Sequence, residues 1–443
     1  MSRAMKDSGI PWIGEIPAEW SSARLKNEGT LHGRIGWNGL RSDEFEENSY
    51  AYLITGQDFI SSKIDWTRCY QIRKARYDED EFIQLKEGDL LITKDGSIGK
   101  VAVVSDMDKP ACLNSGIFVL RQKNLTYTPR YLYWFLASPI LKTYNDYMNL
   151  GGTTIIHLYQ NVFERMPILI PPIPEQQAIA DFLDKKCGEI DEMVSLQEKI
   201  VEELKAYKQS VITEAVCKGL NPDAPMKDSG IEWIGQIPSH WETKRIKYTC
   251  NLFGRIGFRG YTADDLVGQG EGAITLSPTN MNDIHLDLTH CSYLSWEKYY
   301  ESPEIMVENG DVLLVKTASV GKCVYVEDLP METTVNPQIL VLKNHKDNAK
   351  FLAYVFQTPE GQCYIEITKG GSTIYTISQE KIGNYEFAFP PIEEQNKIVD
   401  YLDTRCNEID SLISLKQSKI DALKEYKKSI IYEYITGKKE VEA

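Results

Sequence analysis

Residues 5–20 read MKDSGIPWIGEIPAEW, and half a chain later residues 226–241 read MKDSGIEWIGQIPSHW. Outward from this pair, further matches follow in the same order. GRIGWNGL at 33–40 returns as GRIGFRGY at 254–261, and EGDLLITKDGSIGKVAVV at 87–104 returns as NGDVLLVKTASVGKCVYV at 309–326. PPIPEQQAIADFLDKKCGEID at 171–191 returns as PPIEEQNKIVDYLDTRCNEID at 390–410. A near-constant offset of this size marks duplication of a whole folding unit, since solenoid repeats recur every few tens of residues. Between the matched islands, 46–86 and 267–308 share little. The two halves therefore have one framework and different contents.

Each half divides again. Runs such as Asp89 to Thr93 and Lys100 to Val104, separated by Gly-containing turns, predict strands. Pro129 to Leu141, with Tyr131, Leu132, Trp134, Phe135 and Leu136, predicts a short buried helix, so the first part is an α+β globule. The second part opens at Pro171-Pro172, where proline favours a helix start just after it, and only Gly188 weakens a helix reaching about Val216. Along it Ile190, Met193, Leu196, Ile200, Leu204, Tyr207 and Val211 recur at steps of three and four. The second copy repeats the stripe with Ile409, Leu412, Leu415, Ile420, Leu423, Tyr426 and Ile430. Such stripes predict helix pairing, and a helix of about 40 residues is roughly 60 Å long, more than one globule would cover. The expected order is a globule over 1–170, a long helix over 171–220, a globule over 221–389 and a long helix over 390–443. The fold class expected is α+β: two repeated α/β globules separated by two long antiparallel coiled-coil helices in a pseudo-twofold arrangement.

Composition sets outer bounds. With 42% hydrophobic and 26% charged residues, disorder and fibrous folds are excluded. Nine Cys, without a C-x-x-C pair, support neither a disulfide framework nor a zinc cluster and suit a cytoplasmic protein. No stretch approaches the roughly 20 apolar residues of a membrane span. The net charge of -15 speaks against a general affinity for nucleic acid. It does not exclude a local basic face, because charge is screened beyond about 8–10 Å at ordinary salt.

The opening W-I-G-x-I-P-x-x-W (Trp12 to Trp20, Trp233 to Trp241), the G-R-I-G-aromatic loop, the lysine hairpin and the P-P-I-x-E-Q helix start each occur twice. In these four features, over essentially its full length, the chain resembles the specificity subunit of type I restriction-modification enzymes. The resemblance implies two target-recognition domains, each reading one half of a bipartite asymmetric site in double-stranded DNA. It implies a non-catalytic subunit within a multisubunit DNA adenine methyltransferase and site-specific deoxyribonuclease. The implied partners are two methyltransferase subunits docked on the helices and two motor-nuclease subunits. These partners would use S-adenosylmethionine, ATP and Mg²⁺, and this chain would bind no cofactor of its own.

The residues agree by what they lack. Gly96-Ser97-Ile98-Gly99-Lys100 is too short for a Walker A loop, and Val101 stands where Ser or Thr is needed. There is no G-x-G-x-x-G, no Asn/Asp-Pro-Pro-aromatic tetrapeptide and no H-E-x-x-H spacing among the six His. For DNA contact, Arg34 and Trp37, with Arg255 and Phe258, combine a cation with an aromatic in a Gly-flanked loop; a buried aromatic beside a solvated Arg fits the same pattern. Lys94, Ser97 and Lys100, matched by Lys316, Ser319 and Lys322, suit phosphate, or are an ordinary charged hairpin tip. Thr153 and Thr154 after Gly151-Gly152, with Ser372 and Thr373 after Gly370-Gly371, offer hydroxyls where the backbone can approach closely, or form a plain turn. Base readers are sought where the halves diverge. Those windows hold Gln57, Asp58, Ser61, Lys63, Arg68, Arg73, Lys74 and Arg76 in one copy and Thr279, Asn280, Asn282, His285 and His290 in the other. The competing reading is a protein-interaction scaffold whose helices pair and whose globules bind proteins, which the acidic charge suits.

Overall fold

In the computed structural model, residues 3–34, 40–148, 157–255, 259–371 and 374–441 are described. The chain forms two compact units, one of residues 1–198 with 417–443 and one of residues 199–416, so each unit holds part of both long helices.

In the first unit a four-stranded antiparallel sheet is built from β1 (Gly29–Gly33), β4 (Leu90–Thr93), β5 (Val101–Val103) and β7 (Ile117–Gln122), in the order β5-β4-β7-β1. A second sheet joins β2 (Ala51–Ile54), β3 (Tyr70–Ile72) and β6 (Ala111–Leu113), with β2 and β6 parallel. Leu91, Ala102, Ile117 and Val119 from the first sheet share a core with Ala51, Leu53 and Ile54 from the second. On the other face lies helix α1 (Pro129–Ala137), started by Pro129 in its first turn and capped by Thr128, whose hydroxyl accepts from the Tyr131 N–H at 3.2 Å.

The second unit repeats this layering. Its four-stranded sheet contains β8 (Asn251–Gly254), β10 (Val312–Val315), β11 (Cys323–Tyr325) and β13 (Ile339–Lys343), and its other sheet pairs β9 (Gly272–Leu276) in parallel with β12 (Thr333–Val335). Period-two alternation sorts the side chains. Val312, Leu314, Leu340 and Leu342 pack with Phe351 to Phe356 of the matching short helix, while Leu313, Val315, Ile339 and Val341 pack with Ile274 and Leu276. A strand buried on both faces has no polar face to show, and for this reason LLIT and VLLV read as continuous apolar runs.

The long helices are α2 (Ile173–Lys218) and, after the short helix α3 (Ala349–Gln357), α4 (Ile392–Ile435). Helix α2 runs through Gly188 without a break. Within the first unit, Phe182 and Tyr434 rings lie 4.3 Å apart, Lys427 pairs with Asp191 at 2.6 Å and Lys424 with Glu198 at 2.9 Å. Within the second, Lys208 pairs with Asp410 at 2.7 Å. In the first unit numbers rise on one helix as they fall on the other, so the pairing there is antiparallel.

The seam differs from the stripe expected. Leu183, Cys187, Ile190, Val194, Val201, Lys208 and Val211 are buried on α2, and Leu402, Cys406, Ile409, Ile420 and Ile430 on α4. These positions fall on one alternation of three and four, with some of its places left without a buried residue. Met193, Leu196, Tyr207, Leu412, Leu415 and Tyr426 are exposed, while Ile200, Leu204 and Leu423 are partly buried. The expected stripe preferred large apolar residues and took two steps of three in succession, which rotates it off a seam of period 3.5; Val194, Val201 and Lys208 hold places it skipped.

The skipped Lys208 is 9% exposed and bonds both Asp410 and Asp283. Burial pushes its ammonium down, but the two carboxylates outweigh this and hold it above its ordinary value. Lys208→Ala is expected to destabilise the protein by about 1–2 kcal/mol, less than a fully buried pair because both carboxylates reach water. Lys208→Met, which keeps the stem in the seam, should recover most of that loss. Urea unfolding midpoints of the two variants check the ordering.

Candidate nucleic-acid interface

The duplicated motifs first have to be divided into those that hold the fold and those that face outward. Trp20 and Trp241 are fully buried, and their indole N–H groups donate to Glu175 at 2.9 Å and Glu394 at 3.3 Å. Gln176, also fully buried, accepts from the Thr128 N–H at 2.7 Å and donates to the carbonyls of Thr126 and Pro171. Gln395 accepts from the Asn348 N–H at 2.8 Å and donates to Pro390 O. The Glu-Gln pair at each helix start thus ties the opening Trp and the cap of the short helix to the long helix. A second clasp lies about two turns further on. Arg130 and the Trp134 indole meet Asp184, and Lys350 and the Tyr354 hydroxyl meet Asp403. Two of the four duplicated motifs are therefore joints. Their signal in the sequence was the pairing of a Trp motif with a Glu-Gln motif in both copies, which spacing alone could not connect.

The arginine of the G-R-I-G loop is also inward. Arg34 is 2% exposed; its Nε donates to Leu113 O at 2.9 Å and its Nη2 to the Cys112 Sγ. Arg255 is 5% exposed, donates to Val335 O and to Thr334 Oγ1 at 3.3 Å, and has its guanidinium 5.1 Å from the Tyr261 ring centroid. Burial lowers the Arg255 pKa. The contacts expected of Arg34 and Arg255 with DNA are corrected accordingly: a guanidinium this buried and bonded to the backbone is a strut under a loop. Trp37, Phe258, Thr153, Thr154, Ser372 and Thr373 lie outside the described residues.

What does face outward gathers at one end of each globule, where β2 and β6, or β9 and β12, finish side by side. Four segments are stitched there by backbone hydrogen bonds. In the first unit Lys94 N–H donates to Gly116 O at 2.9 Å, Asn114 N–H to Ile54 O at 3.0 Å and Leu158 N–H to Lys94 O at 3.1 Å. In the second, Lys316 N–H donates to Gln338 O at 2.8 Å, Asn336 N–H to Leu276 O at 2.8 Å and Ile377 N–H to Lys316 O at 2.9 Å. The lysine hairpin thus borders the segments that follow the Gly-Gly loops.

At this rim Ser97, Lys100, Ser319 and Lys322 are exposed, whereas Lys94 and Lys316 are half-buried. The Lys94 ammonium lies 4.6 Å from the Phe118 ring centroid, and burial lowers the Lys316 pKa. The hairpin needs a left-handed residue: Gly96 has φ +68°, and Ala318 in the same place has φ +66°, a conformation that costs a residue with a Cβ of the order of 1 kcal/mol. Tyr375, about half exposed, carries the Lys369 ammonium 4.2 Å from its ring centroid. The same ammonium pairs with Glu366 at 2.6 Å, so of the two it is the Tyr375 ring that this rim offers for contact. Neither residue stood out in the sequence, because no matched motif contains them.

The base-reader windows separate as well. Asp58 and Asn280 are 3% and 4% exposed and act within their own turns. Lys63, Arg73, Lys74 and Arg76 are paired with Asp106, Glu46, Asp78 and Glu79. His285 turns to Glu327, which also meets Lys350 beside the long helix. Ser61, Arg68, Asn282 and His290 are exposed, and Gln57 and Thr279 are exposed in the turns that the lysine hairpin touches.

The family described as type I restriction modification DNA specificity domain matches residues 40–208 and again 238–438. The chain belongs to this family. Its duplicated layout is thereby that of two specificity domains in one specificity subunit. The type I restriction enzyme MjaVIII specificity subunit of Methanocaldococcus jannaschii is 24% identical over 432 residues, covering 96% of this chain and 93% of that protein. Among solved structures, a chain of a type I R-M system, from work on its complex assembly and conformational transition, superposes with a TM-score of 0.72 at 17% identity, covering 95% of this chain and 99% of its own. The HsdS subunit from Thermoanaerobacter tengcongensis superposes with a TM-score of 0.52, also at 17% identity, covering 95% and 98%. At such identities the structures speak for the fold alone. As a specificity subunit the chain is a repeated α+β protein with paired long helices. Among the described residues no group of His, Cys, Asp or Glu is placed to hold a metal ion, and no helix is long and apolar enough to cross a membrane.

Proposed function

We propose that this specificity subunit reads a bipartite, asymmetric duplex DNA site, one half with each globule, and does no chemistry itself. The observation that carries the reading is the duplicated rim. The same four segments are stitched by matching hydrogen bonds in both units; the exposed Ser and Lys of the hairpin are the same in both, while exposed residues beside it differ, Gln57 in one and Thr279 in the other. One frame with two sets of tips is what two half-sites of different sequence require.

The exposed apolar residues Met193 and Leu196 on α2, and Leu412 and Leu415 on α4, suit docking of two methyltransferase subunits that carry S-adenosylmethionine. Two motor-nuclease subunits using ATP and Mg²⁺ would complete the assembly, in the cytoplasm. The net charge of -15 favours a second reading, a protein-interaction scaffold.

Duplex binding by the chain with its methyltransferase partner, followed against salt, tests the choice. A DNA reader gives sequence-selective binding that weakens steeply with salt. Binding that is absent, or insensitive to salt, supports the scaffold. In the same assay Lys100→Ala with Lys322→Ala, one exposed lysine per rim, is expected to lower the salt slope by about 1.8. An unchanged slope removes these lysines from the interface.

A further inference from the structure

We propose that Gln57 and Thr279 are equivalent base-reading positions, one for each half-site, presented by a turn of the same construction in both globules. The inference rests on the proposed DNA-reading function and adds the residues that set its specificity.

In the first unit the turn is Thr55-Gly56-Gln57-Asp58, directly after β2. The Asp58 carboxylate accepts from the Thr55 N–H at 2.6 Å and from its hydroxyl at 2.9 Å, and the Asp58 N–H returns to Thr55 O at 3.1 Å. In the second unit the turn is Ser277-Pro278-Thr279-Asn280, directly after β9. The Asn280 side-chain oxygen accepts from the Ser277 N–H at 3.0 Å and its hydroxyl at 3.1 Å, and the Asn280 N–H returns to Ser277 O at 2.9 Å. Each turn is then fastened to the lysine hairpin at the same point. The Lys100 ammonium donates to Gly56 O, and the Lys322 ammonium to Pro278 O, both at 3.3 Å.

Two unrelated local sequences, T-G-Q-D and S-P-T-N, thus build one frame. Its fourth residue is buried and its first two are half-buried; the third alone is exposed in both copies. A third residue anchored on both sides by side-chain-to-backbone bonds is held still, which a base contact needs. The frame is kept and the tip is changed, Gln in one half and Thr in the other. Gln pairs with adenine through its amide, donating to N7 and accepting from N6. The Thr279 hydroxyl lies 2.6 Å from Ser277 Oγ, which leaves the methyl group to meet a thymine methyl.

The experiment uses the full chain assembled with its methyltransferase partner and selects bound duplexes from a randomised library. Gln57→Ala should relax preference at one base pair of one half-site by about 5- to 150-fold. Gln57→Glu should turn that preference from adenine to cytosine, whose amino group a carboxylate accepts. Thr279→Gln should alter one base pair in the other half only. Neither Gln57→Ala nor Thr279→Gln, which leave the charge unchanged, should change the salt slope, as loss of a phosphate contact would. If the wild-type chain selects a motif and all three variants select the same one, these positions do not read bases and the inference falls while the proposed function stands. Changes in both halves from one substitution overturn it equally. A wild-type complex that selects no motif overturns the proposed function and the inference together.

Discussion

Replacing residues 221–389 by the equivalent globule of another specificity subunit is expected to rewrite one half of the selected motif and leave the other half intact. Each globule has its own two sheets, its own core and its own rim, and each is fastened to the long helices by its own copies of the Trp-Glu and Gln-cap joints. A mismatched base pair costs about 1–3 kcal/mol, and such costs add for separated positions. Loss of one half-site's readers should therefore lower affinity for the original motif by roughly 100-fold or more. Library selection with the exchanged chain measures this, and a motif altered in both halves contradicts independent reading.

The second large effect concerns the unread gap between the half-sites. Both long helices pass without interruption from one compact unit to the other. Adding four residues after Glu198 lengthens α2 by about 6 Å and turns its continuation about 40° beyond a full turn. In a seam of period 3.5 such an insertion is a stutter, which local unwinding absorbs. One base pair rises about 3.4 Å, so the gap is expected to grow by one or two base pairs while both half-site sequences stay as they were. Methylation mapping of the variant reads both quantities at once. An unchanged gap with full activity shows that the helices do not set the spacing.

Much of this arrangement is legible in the sequence because duplication supplies an internal alignment. The strand runs Leu90 to Thr93 and Val312 to Val315 announce themselves twice, as do the helix starts after Pro171-Pro172 and Pro390-Pro391. What stays hidden is direction. Arg34 and Arg255 look like phosphate anchors because a Gly-flanked arginine usually reaches solvent, yet the ends of β6 and β12 give them carbonyls to bind inside. The seam is hidden for a related reason. Lys208 sits in a buried position that apolar periodicity cannot assign to a lysine, and Asp283 and Asp410, both far away in sequence, explain it. The turns that carry Gln57 and Thr279 are invisible as a pair, since side-chain capping by Asp in one and Asn in the other leaves no shared letters.

The most direct measurement compares the methylomes of isogenic cells with and without this chain. A two-domain DNA reader predicts that deleting it abolishes methylation at one asymmetric bipartite motif and that restoring the chain restores it. A methylome unchanged by the deletion, with the methyltransferase partner present, would contradict the assignment of this subunit as the one that chooses the site.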